Sequence, residues 1–194
     1  MLAVRRSEVG AVSLGLREEK VLEEFRDWPL RADEWRAGRF AAKEVLRLGF
    51  SVQPSRVEVL PAESGAPVLY VDGAMSSLVV NISHTSHWVA AAVAPFAVGI
   101  DVADDEDGAR LPRISKRVFS EGEAEACGAH DSVANQAAVW ALKEAALKLR
   151  IGGVFSPGAR SVRVLSLNPP RIDGLQVALL RLDGAALALA REIS

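Results

Sequence analysis

The sequence predicts an α+β fold, in which helices and strands both occur without a regular strand–helix–strand repeat. Three observations predict it: apolar residues at helical spacing, short apolar runs between Gly, Pro and Asp turns, and the irregular order of the two. A chain of 194 residues suits one domain, or two small halves that share a core. Its 49% hydrophobic and 25% charged residues are typical of a globular protein.

The first half is predicted to begin with a short strand and a helical region. We expect a strand around residues 9–16 and helical segments over about 18–48, with Gly49 as the stop. Short apolar runs separated by turn residues then predict four strands. These strands lie at 57–60, 67–71, 78–82 and 88–93.

The second half begins with a predicted strand at 97–102 that leads into an acidic run. Helices are expected at about 111–119, after Glu121 with Ser120 as a candidate N-cap, and at 134–149, where Gly152 and Gly153 follow. The tail alternates between apolar and polar residues. It predicts two or three strands within 161–167, 175–182 and 185–191, joined by turns at Gly174 and at 183–184.

Composition and charge exclude several classes of function. A net charge of −2 provides no general attraction to nucleic acid or to an anionic membrane. No apolar run approaches the roughly 20 residues that span a bilayer, and the opening residues lack the apolar region of a secretory signal. The single cysteine, Cys127, cannot form an internal disulfide. We therefore expect a cytoplasmic protein with no nucleic-acid or membrane partner.

The run from 135 to 149 is the most informative part of the chain. It is apolar on nearly every side, which predicts a buried helix, yet it carries Lys143, Glu144 and Lys148. At about 100° per residue, these charges fall within an arc of roughly 140°. Buried charges are usually paired or bound to a ligand, so the stripe indicates a site. The alternative is an ordinary solvated ion pair, because Glu144 and Lys148 stand at i,i+4.

Asp101 is a second candidate, because it lies near the end of the apolar strand at 97–102. A carboxylate there must be solvated, paired or bound to a metal. The acidic run that follows does not form an EF-hand loop. With Gly108 in the sixth place, the first and twelfth positions are Ala103 and Ile114, neither of which is a ligand.

The turn that contains Ser83, His84 and Thr85 carries hydroxyl and imidazole groups that suit contacts to phosphate. A structural role for the histidine in hydrogen bonding is the alternative. The pairs His84-x-x-His87 and Cys127-x-x-His130 also leave a zinc site open, although nothing else in the sequence supports one.

Three motifs occur in order: Asn81-Ile-Ser-His84, Val98-Gly-Ile-Asp101 and Trp140-Ala-Leu-Lys-Glu-Ala-Ala-Leu-Lys148. Together they resemble the surfactin-type 4′-phosphopantetheinyl transferases. Weaker similarities are Ala37-Gly-Arg39, Gly65-Ala-Pro67 and Phe119-Ser-x-x-Glu123. The resemblance implies two similar α+β halves related by pseudo-twofold symmetry, drawn here as 1–95 for the coenzyme A side and 96–194 for the metal and catalytic motifs.

The resemblance also implies an activity: transfer of the phosphopantetheine arm of coenzyme A to a serine of an apo acyl or peptidyl carrier protein. It implies Mg²⁺ as the cofactor and a monomeric enzyme, because both halves lie in one chain. By this mapping Glu144 and Lys148 are catalytic, and Asp101 and Glu144 bind the metal. The coenzyme A contacts would be Arg39, Ser83, His84, Lys143 and Lys148. Lys20, Arg26 and Arg31 are further basic candidates in the first half.

Two positions depart from the family pattern. Many members have a second acid two residues after the strand aspartate, where this chain has Ala103, on the same strand face as Asp101. Some members lack it and use water or a polar residue, here Thr85. Ala66 replaces a frequent basic residue. These losses motivate an alternative, a non-catalytic relative that binds coenzyme A or a carrier protein with a weakened metal site. A metal-dependent phosphohydrolase is a third possibility.

Overall fold

The chain forms two compact units, Met1–Phe96 and Ala97–Ser194, in a computed structural model. The structure describes residues 1–109, 118–130, 132–150 and 158–193. Both units combine helices with antiparallel strands, so the predicted α+β class is confirmed. Among the helices of these four stretches, none is both long and apolar enough to cross a bilayer.

The first unit packs one long helix against an antiparallel sheet. Its sheets have the orders β1-β6-β5 and β2-β3-β4, and α2 lies across β5 and β6. Apolar residues of α2 and of the strands form its core. Its elements are β1 (Leu2–Arg5), α1 (Leu16–Glu23), α2 (Pro29–Phe50), β2 (Val57–Pro61), β3 (Pro67–Val71), β4 (Ala74–Met75), β5 (Val79–His84) and β6 (Trp88–Ala94).

The start of this unit differs from the prediction. The strand expected around 9–16 is wrong, because 9–15 has no regular structure and a helix begins at Leu16. The backbone N–H of Gly15 donates to the Glu18 carboxylate, which closes the first turn of that helix. The strand β1 was not predicted, because its four residues acquire strand structure by pairing with β6. The long helix also continues one residue past Gly49, and Ser51 ends it with a φ of 55°.

The second unit packs a long, mostly buried helix on a five-stranded sheet. The strand order is β7-β11-β10-β9-β8, and α5 lies against β7 and β11. Small side chains of β11 and of α5 form most of the core between them. The elements are β7 (Gly99–Asp104), α3 (Asp105–Gly108), α4 (Glu123–Ala126), α5 (Val133–Arg150), β8 (Val164–Leu167), β9 (Pro170–Ile172), β10 (Leu175–Leu182) and β11 (Ala185–Glu192).

Most predictions for this unit are confirmed. The long helix, β10 and β11 lie where the pattern predicts them, and Gly174 and Gly184 take positive φ values of 69° and 70° in the turns. The three-residue strand β9 was not predicted. Ser120 is not the N-cap of α4, a position that Gly122 occupies. The helix expected at about 111–119 falls mainly outside the described residues, and the stop at 152–153 falls entirely outside them.

Candidate active site

Asp101 lies in the interior of the second unit, at the middle of β7. The strand pairs with β11, where Asp101 is opposite Ala188, and every residue of β7 is buried. Side chains alternate between the two faces of a strand, so Asp101 shares a face with Gly99 and Ala103. Asp101 itself is only 6% exposed. A carboxylate in such a place requires a specific partner.

Two glycines allow α5 to approach this face closely. A Cβ at Gly99 would collide with the carbonyl oxygen of Ala145, and a Cβ at Gly108 would collide with that of Val133. Successive glycines along β7 and α3 thus contact successively earlier turns of the helix. The helix therefore runs antiparallel to β7 and lies almost in backbone contact with it. This places the turn that contains Glu144 and Lys148 beside Asp101.

Lys148 bonds directly to this strand. Its Nζ donates to Oδ1 of Asp101 at 2.7 Å and to the carbonyl oxygen of Ile100 at 3.2 Å. The side chains of Lys148 and Asp101 are 17% and 8% exposed. The ordinary alternative, a solvated ion pair between Glu144 and Lys148, is therefore wrong: Lys148 pairs across the fold with a strand 47 residues away.

Glu144 lies close to Asp101 and Lys148, in surroundings that disfavour its ionised form. It is 3% exposed, and within the described part of the chain its carboxylate accepts no hydrogen bond. Burial raises the pKa of Glu144, the nearby negative charge of Asp101 adds to this effect, and Lys148 opposes both, so that the pKa is about 7. Near neutral pH this acid is therefore close to half protonated. Groups with such shifts are common where a site handles protons or cations.

The two carboxylates suit a hard divalent cation. Asp101 and Glu144 repel each other, and a cation between them would turn this repulsion into attraction. Across the described stretches, no group of three or more His, Cys, Asp or Glu side chains could hold a metal. Two protein carboxylates still fit Mg²⁺, which commonly keeps water and takes phosphate oxygens as further ligands. The same finding gives no support to a zinc site.

Ala103 lies on the Asp101 face, as strand periodicity predicts. It is 2% exposed and belongs to the same core cluster as the alanines of α5. The side chain at this position is therefore part of the apolar packing between β7 and α5. Any metal at this site would rely on Asp101 and Glu144 for its protein carboxylates.

Lys143 is oriented away from this cluster. Its Nζ lies 2.8 Å from Oε1 of Glu123 and also donates to the carbonyl oxygen of Val162. Both charged side chains are 0% exposed. Burial lowers the pKa of Lys143, and the Glu123 carboxylate opposes that change. The predicted coenzyme A contact of Lys143 is thus not favoured by its surroundings, and Glu123 is a buried acid to which the sequence analysis gave no role.

The remaining predicted contacts belong to the first unit. Arg39 is buried, its Nε donates to the carbonyl oxygen of Val59 at 3.1 Å, and its guanidinium lies 3.8 Å from the centre of the Trp35 ring. Burial lowers its pKa to about 10. Ser83 is buried near the end of β5, whereas His84, the last residue of that strand, is exposed. Of these residues, His84 is the one with an accessible side chain.

The sequence of the second unit matches a known family. Residues 97–188 match the 4′-phosphopantetheinyl transferase superfamily, and this stretch contains Asp101, Glu144 and Lys148. The resemblance predicted from the motifs is therefore confirmed at the superfamily level for this stretch, and the superfamily's name describes phosphopantetheinyl transfer.

A solved structure is also similar to this chain: the acyl carrier protein synthase (AcpS) of Mycobacterium tuberculosis. It is 26% identical over 48% of this chain and 93% of that one, with a TM-score of 0.36. Among the curated proteins, no match was found.

Proposed function

We propose that this protein transfers the 4′-phosphopantetheine arm of coenzyme A to a serine hydroxyl of an apo carrier protein, in the manner of the surfactin-type enzymes. The observation that carries the proposal is the buried cluster of Asp101, Glu144 and Lys148. It brings two acids and one amine from separate elements to one place, in the stretch that matches the transferase superfamily. We further propose that the chain acts as a monomer in the cytoplasm.

In the proposed reaction, the serine oxygen forms a bond to the phosphorus next to the pantetheine arm. The bond from that phosphorus to the bridging diphosphate oxygen breaks, and adenosine 3′,5′-bisphosphate leaves. Glu144 is the candidate base for the serine proton, directly or through one water molecule. Lys148 would offset the charge that develops on the leaving diphosphate.

Asp101 and Glu144 would hold Mg²⁺. When bound, the ion would neutralise the diphosphate and polarise the phosphorus. Lys148 bonds to Asp101, which keeps this buried carboxylate paired. His84 is the proposed contact to a coenzyme A phosphate, because it is an exposed imidazole at the end of a strand. Ser83 and Arg39 are secondary proposals, because both side chains are buried.

The test is direct. The purified protein is incubated with coenzyme A, Mg²⁺ and a panel of apo carrier proteins, and the added arm is detected by intact mass. We expect transfer by the native chain and none by Glu144→Ala. The matched control is Glu44→Ala, since Glu44 occupies an equivalent Lys-Glu pair on α2 but is bonded to Arg47 at 2.7 Å. The control should retain the native rate.

Three results would count against the proposal or one of its parts. Coenzyme A binding without transfer to any carrier would favour the non-catalytic alternative that Ala103 motivates. Release of product from coenzyme A in the absence of a carrier would instead indicate a phosphohydrolase. Transfer by Glu144→Ala at the native rate would remove the role assigned to that residue.

A further inference from the structure

A buried ion pair joins three elements of the second unit at one point. Oε1 of Glu123 accepts from Nζ of Lys143 and from the backbone N–H of Val164 at 2.6 Å. Oε2 accepts from the backbone N–H and the hydroxyl of Ser120 at 2.8 and 3.0 Å. The start of α4, the middle of α5 and the first residue of β8 are therefore tied together through a single carboxylate.

The first unit contains the same arrangement. Glu18 accepts from Nζ of Lys43 at 2.6 Å, from the backbone N–H of Val59 at 2.8 Å and from that of Gly15 at 2.9 Å. Each glutamate bonds to a strand N–H 41 residues later and to the N–H three residues earlier. Lys43 lies on the long helix of its own unit, as Lys143 does. The described residues of each unit therefore contain this arrangement of a buried glutamate and lysine.

The consequence for the candidate site follows from helix geometry. Lys143 and Glu144 are consecutive, so their side chains point about 100° apart around α5. With Lys143 held by Glu123 on one side, Glu144 must point toward β7. The close approach of Gly99 to Ala145 and Leu149 fixes the other side of the helix. Together, the ion pair and the glycine contact fix the rotation of α5 about its own axis.

We propose that Glu123 and Lys143 are positioning residues, which set the rotation and register of α5 so that Glu144 and Lys148 meet Asp101. Lys143 then acts through its neighbours and does not contact coenzyme A. In the first unit the corresponding pair orients a helix that carries no such cluster, because Glu44 bonds to Arg47 at the helix surface. The expected effect on kcat rests on the proposed function, whereas the expected effect on the orientation of α5 does not depend on it.

The experiment compares two matched double variants, Glu123→Gln with Lys143→Met and Glu18→Gln with Lys43→Met. Removing both charges avoids leaving an uncompensated ion in the interior, which would destabilise the fold strongly. The structural readout is the nuclear Overhauser effect between the Gly99 methylene and the Leu149 amide. A Cβ placed on Gly99 would lie 3.0 Å from that nitrogen, so the corresponding hydrogen is close to the amide proton.

We expect the Glu123/Lys143 variant to lose this effect and to lower kcat at least about tenfold, because small displacements of reacting groups have large effects on rate. The KM for coenzyme A should change by less than about threefold, as for a residue that does not touch the ligand. The Glu18/Lys43 variant should keep both the effect and kcat at a similar loss of thermal stability. If the first double variant does not fold, Glu123→Asp is compared with Glu18→Asp by the same measurements, because this change keeps both charges and only shortens the carboxylate side chain by one methylene group.

Three results would overturn the proposal. One is an unchanged Gly99–Leu149 effect and kcat in the Glu123/Lys143 variant. Another is an equal loss of both in the first-unit control. The third is a raised KM with an unchanged kcat, which would make Lys143 a ligand contact. If the native chain shows no transfer at all, the proposed function fails, while the magnetic resonance comparison still decides the positioning role.

Discussion

The ammonium group of Lys148 lies 2.7 Å from Oδ1 of Asp101, so a helix cation neutralises a strand carboxylate in the interior of the second unit. Glu144, one helical turn earlier, has no such partner in the described residues and holds its proton to about pH 7. The cluster therefore has two carboxylates and one ammonium group, and the ammonium group is bonded to only one of the carboxylates. The remaining carboxylate is available to a metal or a proton.

Replacing Glu144 by glutamine should stabilise the protein at alkaline pH. The pKa of Glu144 is raised from 4.5 to about 7, so the folded state binds a proton more tightly than the unfolded state, and wild-type stability falls as pH rises through this range. At pH 8 the variant should be more stable by up to about 3 kcal/mol. Below pH 4.5 the difference should vanish. Urea unfolding at several pH values measures this, and an equal difference at pH 4 and pH 8 would refute it.

Binding of Mg²⁺ should release protons near neutral pH. Glu144 is about half protonated at pH 7 without metal, and a ligand carboxylate must be ionised. The apparent affinity should therefore rise between pH 6 and pH 8. Calorimetry in buffers of different ionisation enthalpy, with coenzyme A present, would detect about half a proton released per ion at pH 7. Buffer-independent heats at that pH would contradict this linkage.

Replacing Lys148 by methionine should change both the pKa of Glu144 and the rate of transfer. Lys148 lowers the pKa of Glu144, so its removal should raise that pKa above about 7. The transfer rate should fall by about 100-fold or more, because a charge opposing the developing anion is lost. The control is Arg47→Met, an exposed cation on α2, which should change the rate by less than about twofold. A raised KM with an unchanged kcat would argue against the role assigned to Lys148.

Replacing Gly99 by alanine should displace α5. The new methyl group would meet the Ala145 carbonyl, and this overlap should destabilise the protein by about 3 kcal/mol and lower transfer. Gly49 provides the control: it lies in α2 with nothing within 4 Å of the Cβ position. There, alanine should stabilise the helix by about 0.5–1 kcal/mol. Thermal unfolding of both variants measures the contrast, and a neutral Gly99→Ala would show that the helix does not contact β7 so closely.

Sequence pattern predicted much of the fold because apolar spacing depends on local geometry. The long helix and the β10–β11 hairpin were found from this spacing, and the positive φ angles at Gly174 and Gly184 explain the glycines in their turns. Elements that depend on distant partners were missed. The strand β1 is formed by its pairing with β6, and the segment before α1 was misread as a strand because an apolar run alone does not show what it contacts.

The residue pattern alone was enough to predict the buried character of α5, the charges that it carries and the resemblance to the transferase superfamily, which the match of residues 97–188 supports. Helical spacing places Lys143, Glu144 and Lys148 within one arc, but it does not say what lies opposite each side chain. The three-dimensional packing shows that Lys148 pairs with Asp101 and that Lys143 pairs with Glu123. The physical reason is that both partners are about 20 or more residues away, so they meet these lysines only when β7 and α4 pack against the helix.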